Sequence, residues 1–75
     1  MKKITVFSNT GCGKCKMLKR WLDSKGLEYE ERNIAEDGEA LNELIRNKRR
    51  SLPQIQVDNE FVDIKEYNDL LELIQ

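Results

Sequence analysis

Seventy-five residues are enough for a single domain, and we expect that domain to span residues 1–75. Charged residues make up 36% of the chain and hydrophobic residues 39%, which is a globular composition and not a disordered one. The net charge of −1 argues against a general nucleic-acid or membrane-surface binder, because neither sign of charge dominates. No segment is apolar enough to span a bilayer, and the first residues lack a signal-peptide core, so we expect a cytoplasmic protein.

The first part of the chain predicts a strand, a helix and a second strand. Lys3–Ser8 is β-branched and aromatic, which is typical of a buried strand. From Cys15 onwards, apolar residues recur at helical spacing, and Gly26 is placed to end this helix. The predicted buried face comprises Met17, Leu18, Trp21 and Leu22. Leu27–Ile34 alternates in polarity and predicts a strand parallel to the first, because the connection has the length of a crossover helix.

The second part of the chain predicts a helix, a β-hairpin and a final helix. Asp37 and Gly38 open a helix whose apolar positions are Leu41, Leu44 and Ile45, and the basic stretch 46–50 follows it. Residues 54–57 and 60–62 predict two strands joined by a turn at Asp58 and Asn59. The apolar face of the final helix comprises Leu70, Leu71 and Ile74. The predicted fold class is α/β, in the order β-α-β-α-β-β-α, with a four-stranded mixed sheet flanked by three helices.

Two cysteines lie in a polar turn, Cys12-Gly13-Lys14-Cys15, between the first strand and the first helix. A helix N-terminus presents unpaired N–H groups and the positive end of the helix dipole, which stabilise an anion. We therefore expect the Cys12 thiol to ionise more readily than a free cysteine, with Gly13 and Lys14 contributing to this activation and Lys16 adding positive charge. Cys15 falls in the first helical turn, close enough to form a disulfide with Cys12. The predicted chemistry is attack of Cys12 on a substrate disulfide, followed by resolution by Cys15.

Other interpretations of the cysteine pair are weaker. Structural zinc normally takes four Cys or His ligands, and this chain has two cysteines and no histidine, so we predict no metal site within one chain. The absence of histidine also argues against a Cys-His hydrolase. A polar turn does not favour an inert, buried cysteine pair. A protein-interaction domain with an incidental cysteine pair is an alternative hypothesis.

The whole chain resembles the glutaredoxin family of the thioredoxin superfamily, in length and in order of elements. Two segments carry the resemblance: T-G-C-G-K-C at residues 10–15, and R-R-S-L-P-Q-I at residues 49–55, which is similar to the family's R-R-T-V-P-Q-I. The resemblance implies the thioredoxin/glutaredoxin fold. It also implies a cis Leu52–Pro53 peptide bond packed against Cys12, with the Leu52 backbone binding the cysteine of glutathione.

The resemblance further implies a glutathione-linked thiol–disulfide oxidoreductase. Such a protein reduces protein disulfides and glutathione mixed disulfides through a reversible Cys12–Cys15 disulfide, with glutathione as co-substrate and no tightly bound cofactor. The implied glutathione- and substrate-binding residues are Arg49, Arg50, Ser51, Leu52, Pro53, Asn68 and Asp69. The two arginines fit a solvated helix end equally well. The expected partners are glutathione and disulfide-containing proteins, and we expect a monomer.

The sequence departs from the family pattern in ways that suggest two alternative functions. Gly13 and Lys14 replace the usual Pro-Tyr, Asn9 replaces a lysine three residues before the first cysteine, and residues 63–69 lack the usual glycines. In the family, a non-proline residue at position 13 sometimes accompanies a [2Fe–2S] cluster held by a glutathione-linked dimer. The weakened glutathione contacts suggest instead an electron donor to ribonucleotide reductase that is recharged by thioredoxin reductase.

Overall fold

The computed structural model describes residues 1–75 and contains seven elements in the predicted order. The strands are β1 (Ile4–Ser8), β2 (Glu30–Asn33), β3 (Gln54–Val57) and β4 (Glu60–Val62). The helices are α1 (Gly13–Ser24), α2 (Gly38–Arg46) and α3 (Tyr67–Leu73). The predicted fold class is confirmed. No helix is long and apolar enough to cross a membrane.

The four strands form one mixed sheet in the order β2-β1-β3-β4. β1 pairs with β2 in parallel, as predicted, and with β3 in antiparallel, while β3 and β4 form an antiparallel hairpin. In the centre of the sheet, Val6 lies opposite Glu31 of β2 and Ile55 of β3. Every residue of β1 is buried, because both faces of this central strand are covered.

The larger core lies between the sheet and the helices α1 and α3. It consists of eight buried apolar side chains: Ile4, Val6, Leu18, Leu22, Ile55, Val57, Leu70 and Ile74. The terminal segments close together over this core, since the Lys2 N–H donates to the Ile74 carbonyl at 3.0 Å. Helix α1, which follows the cysteine turn, is therefore packed against the sheet through this core.

The smaller core lies on the opposite face, under α2, and contains Phe7, Ala40 and Leu44. Asp37 caps α2 by accepting the Ala40 N–H at 3.1 Å and the Arg32 Nε–H at 3.1 Å. The Arg32 guanidinium and this backbone N–H hold the pKa of Asp37 below its usual value. An open polar cavity of about 620 Å³ lies on this side of the molecule, with Arg32, Arg46, Gln56 and Phe61 among its lining residues.

Helix α1 begins at Gly13 with Cys12 as its N-cap, so Cys15 lies in the first helical turn as predicted. Two other predicted features of the first half of the chain are wrong in detail. Met17 lies on the exposed side of α1, with 59% of its surface accessible, and the buried face is formed by Cys15, Leu18 and Leu22. Strand β2 begins at Glu30 and not at Leu27.

The predicted apolar face of α2 is also partly wrong. Leu44 is buried as expected, but Leu41 and Ile45 are 40% and 64% exposed. Ala40 takes the buried position beside Leu44, since residues four apart share a helix face. In α3, Leu70 and Ile74 are buried and Leu71 is half-buried, so that predicted face is confirmed.

The turns that end α1 and join β3 to β4 form as predicted. Gly26 has φ +67°, its N–H donates to the Asp23 carbonyl at 3.1 Å, and the Leu27 N–H donates to the Leu22 carbonyl at 3.0 Å. This paired arrangement is a Schellman motif, which favours glycine at the left-handed position. Asp58 and Asn59 both have positive φ, 50° and 71°, which is the backbone of a tight hairpin turn.

Candidate redox site

Cys12 and Cys15 are joined by a disulfide at the N-terminus of α1, with their Cα atoms 5.3 Å apart. The turn leading into this pair is held by the Cys12 N–H, which donates to the Asn9 carbonyl at 3.2 Å, and by Gly11 at φ +80°. Cys12 is the N-cap of α1, and its Sγ accepts the Cys15 N–H at 3.1 Å. One of the unpaired N–H groups that every helix presents at its start therefore points at the Cys12 sulfur.

The two cysteines differ in their exposure to solvent. Cys12 is half-buried, whereas Cys15 is 1% exposed and continues the buried face of α1. A partner molecule can reach the sulfur of Cys12 from solvent. Cys15 is closed to solvent and is bonded to Cys12, which suits a second, internal nucleophile.

The charges around the pair are positive. The first turn of α1 contains no acidic residue, and Lys14 and Lys16 are exposed there. The structure contains five ion pairs, and neither lysine takes part in any of them. Positive charge near the N-cap thus remains available to an anion, in addition to the helix dipole.

A polar cluster that the sequence analysis missed lies behind α1, where β1 ends. The buried Ser8 hydroxyl donates to Glu31 Oε2 at 2.7 Å, and the Lys19 ammonium donates to the same oxygen at 2.7 Å. The two donors, Lys19 foremost, lower the pKa of Glu31. Only the parallel pairing of β1 with β2 brings these residues together, so no local sequence pattern indicates the cluster.

The Leu52–Pro53 peptide bond is cis, as the resemblance predicts. Leu52 is half-buried and packs against the smaller core under α2. Ser51 is exposed, and its carbonyl accepts a hydrogen bond from Gln54 Nε2 at 2.8 Å. This bond fixes the backbone just before β3. The packing of Pro53 against Cys12 stays a prediction.

The two arginines predicted for glutathione binding have different surroundings. Arg49 forms an ion pair with Asp63, and its guanidinium carbon lies 5.3 Å from the centre of the Phe61 ring. Arg50 is exposed and makes no ion pair. Of the two, Arg50 is the one whose charge is available to an incoming carboxylate.

Asp69, which is predicted to bind glutathione, caps the N-terminus of helix α3. Asp69 Oδ2 accepts the N–H groups of Lys65 and Glu66 at 3.0 Å and 3.1 Å, as part of a capping box. Asn68 is exposed beside it. Sequence reasoning missed this cap, although the spacing of Glu66 and Asp69 is the signal that indicates one.

The predicted site residues thus fall into two groups: the cysteine turn, and the segments 49–53 and 68–69 with their intrachain contacts. No group of three or more His, Cys, Asp or Glu side chains is arranged to hold a metal ion. The chemistry that the geometry offers is that of a dithiol with one accessible and one enclosed sulfur.

Comparisons with known proteins agree with this chemistry. The model of the glutaredoxin family matches residues 4–62. The glutaredoxin-like protein NrdH of Lactococcus lactis subsp. lactis (strain IL1403) is 36% identical over 56 residues, which cover 75% of this chain and 78% of that protein. Among solved structures, the thioredoxin-like protein BC3987 matches with a TM-score of 0.78 at 29% identity. The match covers 95% of this chain and 99% of the BC3987 chain. NrdH-redoxin from Escherichia coli has a TM-score of 0.81 at 22% identity, with coverage of 95% and 93%, which supports the fold. The chain belongs to the glutaredoxin family and is a thiol–disulfide oxidoreductase.

Proposed function

We propose that Cys12 and Cys15 are the redox centre of a dithiol reductase for protein disulfides and glutathione mixed disulfides. The observation that supports this most directly is the hydrogen bond from the Cys15 N–H to the Cys12 sulfur, at an N-cap open to solvent. A sulfur in this position gains stability as an anion from the N–H group and the helix dipole. Because the thiolate is the nucleophile, Cys12 is the attacking residue.

The proposed reaction passes two electrons from the dithiol to the substrate. The Cys12 thiolate attacks one sulfur of the substrate disulfide, forming a mixed disulfide and releasing the other sulfur as a thiolate. Cys15 then loses its proton and attacks Cys12 Sγ, and the second substrate sulfur leaves. Two protons complete the two substrate thiols, and the enzyme is left with the Cys12–Cys15 disulfide.

The two cysteines give this proposal a matched pair of variants. We expect Cys12→Ser to abolish the reduction of a protein disulfide, because no nucleophile remains accessible. Cys15→Ser should instead accumulate a mixed disulfide between Cys12 and the substrate, which mass spectrometry of the intact complex detects. Activity retained by Cys12→Ser, or no trapped complex with Cys15→Ser, would contradict the assigned roles and favour an incidental cysteine pair.

Glutathione is the co-substrate in the first version of this proposal. Its support is the resemblance of residues 49–55 to the segment by which the family binds glutathione, where Arg50 and Ser51 are exposed. In this version, Arg49, Asn68 and Asp69 complete the binding site. Glutathione would then reduce the Cys12–Cys15 disulfide in two successive exchanges and itself become oxidised.

A second candidate is a protein reductant of the thioredoxin reductase class, with ribonucleotide reductase as the disulfide substrate. This version is favoured by the contacts of two expected glutathione ligands, since Asp69 caps α3 and Arg49 pairs with Asp63. Asn9, in place of a lysine, removes a further contact. The Lactococcus lactis relative, NrdH, is named a glutaredoxin-like protein and not a glutaredoxin.

Two coupled assays on one preparation distinguish these reductants. NADPH oxidation is followed with the same protein disulfide, once with glutathione and glutathione reductase and once with thioredoxin reductase alone. A higher kcat/KM with thioredoxin reductase supports the second candidate, and a higher value with glutathione supports the first. Asp69→Asn is a useful control, because it should alter only the glutathione-dependent rate if Asp69 binds the peptide.

We further propose that the protein acts as a monomer in the cytoplasm, where close cysteine pairs persist mainly as catalytic or metal-binding pairs.

The alternative of a [2Fe–2S]-carrying dimer is suggested by Gly13, which replaces the family's usual proline. Anaerobic reconstitution with iron, sulfide and glutathione tests it, since cluster binding would give a coloured dimer.

A further inference from the structure

The charges of the chain are segregated around the redox pair. The segment 13–25, which is α1 and its C-cap, contains five of the thirteen basic residues but only one of the fourteen acidic residues. The basic residues are Lys14, Lys16, Lys19, Arg20 and Lys25. The rest of the chain therefore has an excess of negative charge. This contrast makes α1 the positive surface of a protein whose net charge is close to zero.

Part of this surface forms a shallow cleft of about 290 Å³ between α1 and the start of β2. Its lining residues are Lys16, Lys19, Arg20, Asp23, Tyr29 and Glu31. Lys19 is neutralised by its ion pair with Glu31. Lys16 and Arg20 make no ion pair, and residues four apart lie on the same side of a helix. The cleft therefore offers two unpaired cations side by side.

Tyr29, directly before β2, also lines the cleft, next to Asp23. The ring is half-buried, and its burial, followed by the nearby charge of Asp23, raises the pKa of the phenol. Because its hydroxyl is hydrogen-bonded to Asp23, the ring adds only a neutral surface to the cleft, and the charge that would attract an anion comes from Lys16 and Arg20.

We propose that this cleft binds an acidic segment of the protein whose disulfide is reduced, so that Lys16 and Arg20 select substrates with carboxylates near the reactive cysteine. The inference rests on the proposed function of Cys12. At a rise of 1.5 Å per residue, Lys16 and Arg20 lie about 6 and 12 Å from Cys12 along the helix axis. An extended peptide covers about 3.3 Å per residue, so the preferred acidic residues are about two to four positions from the cysteine.

The proposal is tested with two peptide disulfides that differ only at positions two to four from the cysteine, where one has aspartates and the other serines. Two surface ion pairs predict a preference of about five- to tenfold in kcat/KM for the acidic peptide at low ionic strength. The preference should fall towards one at about 0.5 M salt, because screening weakens contacts between exposed charges.

A pair of charge-matched double variants locates the preference. In Lys16→Ser/Arg20→Ser, the ratio of kcat/KM for the acidic and the serine peptide should approach one. In Lys2→Ser/Lys25→Ser, which has the same change in net charge away from the cleft, the ratio should be retained. The ratio is the informative quantity, because any change in Cys12 reactivity affects both peptides equally.

Three results would overturn the proposal: equal rates for the two peptides in the unchanged protein, an equal loss of preference in both double variants, or an oligonucleotide that inhibits more strongly than a cysteine-free acidic peptide of the same charge. The last result would identify a nucleic acid as the ligand of the cleft. If neither peptide is reduced at all, it is the proposed function of Cys12 that fails, and the two failures are thus distinguishable.

Discussion

The two faces of the sheet are built in different ways. The face under α1 and α3 buries eight apolar side chains in one cluster, while the face under α2 buries only three. The first face is thus stabilised mainly by removal of apolar surface from water, which is the larger contribution in most domains. The redox pair belongs to that face, because Cys15 continues the row formed by Leu18 and Leu22.

The face under α2 depends more on charged side chains that cover aromatic rings. Arg32 lies 5.2 Å from the centre of the Phe7 ring and pairs with Asp37 and Glu43. These carboxylates, Glu43 foremost, raise the pKa of Arg32 above its usual value. Phe61 of β4, two strands away from β1, has its ring centre 5.2 Å from that of Phe7. Directional contacts of this kind accompany the smaller apolar cluster on this face.

The redox pair therefore lies on the helix that packs against the larger apolar core. The apolar row of α1 fixes the position of Cys15, so that its N–H can donate to the Cys12 sulfur. The polar side of the same helix remains free to present cations to a partner. A loss of apolar packing under α1 should therefore affect both stability and activity, whereas changes under α2 should affect mainly stability.

The largest effect is expected from truncation of the core under α1. Leu18 is fully buried in the larger cluster, so we expect Leu18→Ala to lower the free energy of unfolding by about 3–5 kcal/mol. Leu44→Ala, beside the smaller cluster and its open cavity, should cost about 2 kcal/mol. Urea unfolding of the oxidised protein measures both values. Equal costs for the two variants would show that the faces contribute alike.

Loss of the cap on α2 should have a smaller effect than truncation of the core. Asp37→Ala removes the acceptor of the Ala40 N–H and one partner of Arg32, and we expect Tm to fall by about 4–8 °C. Because α2 lies on the face away from the cysteines, kcat/KM at 25 °C should stay within about twofold of the unchanged protein. A larger fall in activity than in stability would contradict the separation of the two faces.

Gly26, at the end of α1, and Gly38, at the start of α2, differ in their need for glycine. A Cβ at either Gly26 or Gly38 would have no atom within 4 Å, but only Gly26 has positive φ. We expect Gly26→Ala to cost roughly 1–2 kcal/mol, because L residues are strained in the left-handed region. Gly38→Ala should instead be neutral or stabilise by up to about 1 kcal/mol. Thermal unfolding gives both values, and similar losses for the two would exclude this explanation.

The smallest effect concerns pH. The folded-state pKa of Glu31 is lowered, so its carboxylate contributes stability above the unfolded-state value, and this contribution is lost as pH falls through the folded-state value. We expect Glu31→Gln to lower Tm by roughly 2–4 °C at pH 7. The difference from the unchanged protein should shrink below about pH 4. A difference that stays constant down to pH 2 would show that Glu31 acts by packing alone.

Much of the fold follows from local sequence signals. The order of elements, the end of α1 at Gly26 and the hairpin at Asp58 and Asn59 are each indicated by spacing or turn residues, and all are confirmed. The cysteine turn is predicted to lie at the N-terminus of α1, and Cys15 does fall in the first helical turn. The exposure of Met17 is missed, because an apolar side chain is compatible with either side of a helix.

The candidate site is likewise predictable from the sequence only in part. The cysteine pair is visible in the sequence because its chemistry needs only a fixed spacing at the start of a helix. The contacts of Glu31 with Ser8 and Lys19 join three different elements and depend on strand register. The cis peptide bond before Pro53 was implied by family resemblance alone, since trans is the usual isomer in a lone loop proline.

The reactivity of the Cys12 thiol tests the central claim most directly. In the reduced Cys15→Ser variant, where Cys12 is the single thiol, the rate of alkylation by iodoacetamide is measured from pH 4 to pH 10 beside a small model thiol. Stabilisation of the thiolate at the N-cap predicts a plateau reached at lower pH than for the model thiol, and faster alkylation at neutral pH. A pH profile that coincides with that of the model thiol would contradict the account.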